Sequence, residues 1–517
     1  MSGELLIAFF RFVPASKQAL VALTFSLLLC GCNSGATLQD PYIIAVESGE
    51  RLTLRIEAAE TLWDEAERGV RDRAVIRRAL KDLAWNENQP IGLRIRSLEL
   101  VFSDTTPEGE ADSRALAQLM LPIIDDPLLA DTIAVTAAER DWVSVTPALF
   151  RRLAEVSADE PTLERIETGA LRLLHGERPL TTVAFETALR PRVIRDSRVE
   201  DRRARARRAA FDVLGRLDPD GVRTRSLVGA YEPDGLEPEV DLLVATIARG
   251  MDQLRVVPRT GREVEWIEQI MDGDDVASAA WREDVSAAVA RVDAGRVPRV
   301  EMRQLEPIRW VVAHRPEWLD ATRAELLSTA EARLEGRNTN RRTSELGIDR
   351  SRLRERLDDW SATMTWGDLI TLLVLDEAVR SPDVVRQFFA HTARDRDDVS
   401  TEYGGILLAG PDSRPGLFRA QLFVPRVGDR ISDNLFIASE AMIASGRRAL
   451  AFYHLQVARS RNSKFAGPSP TDLAFVRRTG RTGIVATSIT PDRLGIDYYQ
   501  PDGVIVDLGE IRRPTDG

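Results

Sequence analysis

Five residues in the last quarter of a 517-residue chain have types and spacing that can do chemistry: Glu402, His454, Gln456, Ser469 and Asp472. They lie in the stretches TEYGGILLAG, FYHLQV and GPSPTDL. A hydrolytic zinc site needs three protein ligands, an open position for water and a base that takes the water's proton. Imidazole and carboxylate are strong donors to that ion, whereas the neutral amide of Gln456 is far weaker. Positions 454 and 456 stand two apart, so on a strand their side chains share a face. No histidine follows His454, so no nearby imidazole can take the place of Gln456. Ser469, His454 and Asp472 also spell a serine triad, but the Gly-x-Ser-x-Gly elbow is missing around Ser469. Gly480-Arg481-Thr482-Gly483 reads as a turn, because no Lys-Ser/Thr follows it to hold phosphate.

In their order these residues resemble the zinc-site signature of the JAMM/MPN metalloprotease family. That signature is a glutamate on a strand, then His-x-His ending another strand, then Ser-x-x-Asp opening a helix. The resemblance implies a JAMM/MPN-like α/β domain over 366–517, a sandwich around a curved sheet. It also implies His454 and Asp472 as metal ligands, Glu402 as the base and Ser469 as the donor to the oxyanion. Gln456 departs from the family by standing at the second histidine position. The loop 457–468 is longer than usual and lacks the customary proline. One strong ligand short, the domain is expected to hold zinc weakly or not at all and to act in protein binding. The alternative is a zinc-dependent JAMM-type peptidase or isopeptidase acting on an envelope protein.

The elements that must position these residues differ along the chain. Over 45–335, stretches such as Leu52 to Arg68, Val75 to Leu83, Pro147 to Val156 and Glu239 to Met251 carry apolar residues at helical spacing. Pro, Gly and Asp punctuation separates them. Short amphipathic helices must stack to bury their faces, so an α-helical, HEAT-like or irregular solenoid region is expected, with a globular helical domain as runner-up. Trp63, Trp85, Trp142, Trp266, Trp281 and Trp310 are expected in its core, and His175 and His314 are expected to be structural. The polar stretch EGRNTNRRTSELGID opens a linker or helical connection over 336–365. Beyond it the pattern predicts a buried strand at Leu369 to Leu375, a helix at Val384 to Arg394, and strands at Gly405 to Ala409 and Phe418 to Val424. A helix at Leu435 to Ala444, a strand at Arg448 to Tyr453, a helix at Asp472 to Thr479 and a strand at Thr482 to Thr487 follow. A hairpin of Leu494 to Tyr499 and Val504 to Leu508 turns at Pro501-Asp502-Gly503.

At the other end, Arg11 and Lys17, an apolar run from Ala19 to Leu29 and then Leu29-Cys30-Gly31-Cys32 resemble a bacterial lipoprotein signal peptide (1–31). Cys32 would carry the lipid, with 32–44 as a tether. Asn33 leaves out the aspartate that retains some lipoproteins at the inner membrane, so a periplasm-facing outer-membrane anchor is expected. With 2 cysteines in all, cleavage would leave no disulfide and no cysteine-ligated metal. A net charge of -11 argues against nucleic acid. The basic run Arg202-Arg203-Ala204-Arg205-Ala206-Arg207-Arg208 reads as a solvated helix face. The expected partners are therefore an unidentified protein and, through Cys32, the membrane.

Overall fold

The computed structural model describes residues 40–155, 162–191, 199–272, 276–337, 354–410, 418–432 and 435–514. The segment expected as a signal peptide (1–31), Cys32 and most of the expected tether lie outside these residues, as does most of the polar stretch, from 338 to 349. The described residues fall into two compact units, one ending at Ser103 and the other beginning at Asp104. In the first, α1 (Pro41–Val46), α2 (Leu52–Glu67), α3 (Arg73–Trp85) and α4 (Ile91–Phe102) bury one face each around Ala59, Leu62, Leu80 and Leu93. Asp72 caps α3 by accepting from the N–H groups of Ala74 and Val75. Trp63 is buried as expected, but Trp85 ends α3 and is 42% exposed, so it is not core.

The second unit begins with helices, α5 (Pro107–Met120), α6 (Pro127–Glu139), α7 (Thr146–Glu155), α8 (Ile166–His175), α9 (Leu180–Leu189) and α10 (Val199–Leu217). Then come α11 (Val222–Gly229), α12 (Pro238–Leu254), α13 (Gly261–Asp272), α14 (Val276–Ala290), α15 (Leu305–His314), α16 (Glu317–Asp320) and α17 (Arg323–Leu334). After α18 (Leu357–Trp360), two longer helices, α19 (Trp366–Arg380) and α20 (Pro382–Arg396), lead into the α/β segment. That segment runs β1 (Gly404–Ala409), β2 (Phe418–Phe423), α21 (Glu440–Ser445), β3 (Ala451–Gln456), α22 (Pro470–Thr479), β4 (Gly483–Thr490), β5 (Arg493–Tyr499) and β6 (Ile505–Arg512). The sheet order is β2-β1-β3-β4-β5-β6, antiparallel except for β3 and β4, whose parallel pairing is bridged by α22.

Three expectations change here. Leu369 to Leu375 is the middle of α19, not a strand. Thr365 and Asp368 cap that helix reciprocally, and it is buried nearly all round, so its apolar run has no period to betray it. The helix expected from Leu435 starts only after its cap, Ser439, and the strand expected from Arg448 starts at Ala451. One apolar core runs from Leu254 through α13, α15, α19 and the sheet to Ile511. Residues on both sides of 336–365 therefore share a core. Two buried arginines reinforce it. Arg303 donates to Asp368 Oδ1 (2.6 Å) and to Gln500 Oε1 (3.0 Å). Arg481 donates to the carbonyls of Met302 (3.1 Å), Gly446 and Ala449 (both 2.6 Å) and stacks on Trp266 at 5.2 Å.

Candidate functional site

Strand alternation gives the sheet two different faces. Tyr453 on β3 points towards α20, where its ring meets Phe388 and its hydroxyl lies 2.9 Å from His391 Nδ1. Burial drives the His391 pKa down to about 4, so that imidazole is neutral and belongs to the packing. On the opposite face Val485, Tyr499 and Ile505 pack against Val476 of α22. Phe452 meets Phe475 of α22 there, and by the period of the strand His454 and Gln456 share that face.

His454 is 4% exposed and stands at the centre of the candidate site. Its Nε2 lies 3.5 Å from Asp472 Oδ2 and 3.5 Å from Gln456 Nε2. Its Nδ1 lies 3.4 Å from the hydroxyl of Tyr499, whose ring meets the imidazole edge-on. Burial, with the charges of Asp472 and Glu402 adding to it, holds the Tyr499 pKa well above its ordinary value. Tyr499 is therefore a donor here. Nδ1 faces that hydroxyl, and the other ring nitrogen, Nε2, faces Asp472 and the Gln456 amide.

Tyr499 can lie across the sheet because its partner on β4 is Gly483, where a Cβ would fall 2.2 Å from the tyrosine ring. Glu402 is buried just ahead of β1. Gly404 pairs with His454 and Leu455 N–H donates to the Tyr403 carbonyl, so the register sets Glu402 opposite Gln456 on the same face. Its influence on Tyr499 agrees with that placement. The Gln456 amide spans two neighbours, His454 on one side and the Thr487 hydroxyl, 3.4 Å from Oε1, on the other.

Ser469 and Asp472 form a capping box that starts α22. The Ser469 hydroxyl and backbone N–H both donate to Asp472 Oδ2 at 2.7 Å, and the Asp472 N–H returns a bond to Ser469 Oγ at 3.3 Å. The hydroxyl proton expected to meet an oxyanion is thus already given to Asp472. Asp472 Oδ2 serves the helix cap and faces His454 at once. The fold brings His454, Gln456, Ser469 and Asp472 into contact and sets Glu402 on the same face. Tyr499 and Thr487 complete the site without any signal in the spacing of the sequence. Among the described residues no group of three or more His, Cys, Asp or Glu side chains converges as metal ligands would. Nor is any helix among them long and apolar enough to cross a membrane. Comparison with known proteins gives no match: no family model, no curated protein and no solved structure.

Proposed function

We propose that this chain is an exported protein anchored by lipid at Cys32. In this reading its helices form an irregular, HEAT-like binding scaffold, and the α/β segment is a JAMM/MPN-like domain that binds a protein without hydrolysing it. Support comes from the element order, a helix, two strands, a helix, a strand, a helix and three strands, with Glu402, His454 and Ser469/Asp472 in the family's sequence positions. The observation that carries the reading is the amide of Gln456 beside His454, where the family has a second imidazole.

The donor set bears on zinc directly. Ligand atoms at ~2.0–2.1 Å from a tetrahedral zinc stand roughly 3.3 Å apart. The 3.5 Å between His454 Nε2 and Asp472 Oδ2 is close to that edge. The third position offers only an amide, and loss of one strong ligand removes several of the ~10–16 kcal/mol of a tight structural zinc site. Asp472 would in addition have to share its cap oxygen with the ion. The set is short by one strong ligand. The same 3.5 Å separation is the observation that favours the second reading, a zinc-dependent peptidase or isopeptidase with Glu402 as its base.

Calorimetric zinc titration of the purified full chain, Gln456→His and His454→Ala separates the two. The binding reading expects weak uptake by the native chain and tighter uptake by Gln456→His. Tight stoichiometric binding by the native chain, lost in His454→Ala, would replace it with the peptidase. Equal weak binding by all three would mean that these side chains form no metal site, and would remove the argument for the family.

A further inference from the structure

The basic run at 202–208 is not uniformly a solvated face. Arg205 and Arg208 of α10 enter a cleft of about 620 Å³ walled by α7, α10 and α22. Four more arginines from three helices line it: Arg151 of α7, Arg216 of α10, and Arg477 and Arg478 of α22. Two carboxylates, Glu155 and Asp212, line the cleft as well. A chain of net charge -11 thus gathers positive charge at one place.

The cleft is built from side chains of two kinds. Ala154, Ala209 and Ala474, one from each helix, are too short to fill the space between the walls. Several arginines are fixed by part of their donor sets. Arg216 donates to the carbonyls of Leu153 (2.7 Å) and Ala154 (2.6 Å) at the end of α7, Arg208 pairs with Glu265 at 2.7 Å, and Arg477 Nε reaches the Pro501 carbonyl at 3.3 Å. A guanidinium presents its five N–H donors in a planar fork that suits a carboxylate, and such anchoring fixes the fork in place.

Length selects the ligand. Arg205 and Arg216 stand about 16 Å apart along α10, at ~1.5 Å of rise per residue. A single tetrahedral anion covers a fraction of that span. An extended peptide at ~3.3 Å per residue covers it with about five residues and presents acidic side chains at several points.

We propose that this cleft binds an extended acidic segment, rich in Asp and Glu, of a partner polypeptide. Pro470 and Thr471 line its α22 side and directly follow Ser469, so a bound segment lies next to the candidate site. The proposal does not depend on a metal or on the family reading.

Fluorescence anisotropy on the full chain tests it, with a labelled peptide of alternating glutamate and serine and a glutamine–serine counterpart. Arg205 and Arg478 are exposed, so Arg205→Glu and Arg478→Glu, with Arg205→Gln and Arg478→Gln as milder versions, alter the cleft and spare the core. Arg203, exposed on the same helix but outside the cleft, supplies the control Arg203→Glu. The acidic peptide should bind, the neutral one should not, and binding should weaken as salt rises from about 50 to about 500 mM. The charge reversals should weaken it by roughly 10-fold or more, a change of ~1.4 kcal/mol. Arg203→Glu should leave it unchanged, and because the assay contains no metal, failure here is separate from failure of the zinc titration. Absence of peptide binding, equal binding of the neutral peptide or unchanged affinity in the cleft variants overturns the proposal. So does tighter binding of inorganic polyphosphate or of phosphatidylglycerol vesicles, which would assign the cleft to another anion.

Discussion

Replacing Arg481 with methionine should loosen helices and sheet together. The side chain is 1% exposed and its guanidinium satisfies three carbonyls, one before α15 and two ahead of β3. Burial lowers its pKa to about 10, which still leaves it charged at neutral pH. Methionine fills much of the same volume, so the loss is electrostatic. It consists of hydrogen bonds from a charged donor, each worth ~1.5–3 kcal/mol and not additive, and of the counter-charge beside buried Glu263. Breaking a buried charged interaction from one side typically costs ~3–5 kcal/mol, and that is the expected loss here. Native-state hydrogen exchange read by mass spectrometry on peptides from α15 and β3 measures it locally. Both should lose the same ~3–5 kcal/mol of protection. A loss below about 1 kcal/mol, typical of a neutral surface change, would refute the bonding argument. Loss in β3 with α15 unchanged would refute the shared core.

Glu263 should make the larger unit less stable as pH rises. Burial pushes its carboxyl up to about 7, against the bond from the Arg259 N–H. Because the folded-state value is the higher one, the stabilisation is complete below about 4.5 and is lost as pH rises through about 7, a change of ~3 kcal/mol. In Glu263→Gln the difference between stabilities at pH 4.5 and 7 should shrink by about that amount, and an unaltered difference would show that Glu263 does not carry the proton. Residues 366–517 produced alone should fail to fold, since they lose the partners of Asp368 and Arg481 in the helical segment. A dispersed NMR spectrum with a cooperative melt would contradict this. At the other end, labelled fatty acid should be incorporated by the native chain in bacteria and not by Cys32→Ser, and label retained in that variant would exclude Cys32 as the acceptor.

Much of the α/β segment is legible where the chain alternates or turns. The hairpin of β5 and β6 follows from its apolar alternation around Pro501-Asp502-Gly503, and the start of α22 from Ser469-x-x-Asp472. The run at Leu369 fits either element, because a helix buried on every side and a buried strand have the same composition. Thr365-x-x-Asp368 ahead of it was the readable sign of a helix. Of the site, the order of Glu402, His454 and Asp472 was visible. Tyr499 was not, because what brings it to His454 is the pairing of β4 with β5 across Gly483. The arginine cleft was invisible for a similar reason. Its walls come from segments far apart in the chain, and only one of them carries a basic run.

The link from Arg303 to Gln500 spans 197 residues, and β6 follows it. At a synthesis rate of ~5–20 residues per second, Arg303 waits roughly 10–40 s for its partner to be made. During that interval the helices that will back the sheet have left the ribosome with their apolar faces uncovered. Closing contacts so far apart is slow in its own right. Until its final strand exists the nascent chain keeps those apolar faces uncovered, and a product truncated before Ile505 lacks the strand that closes the core.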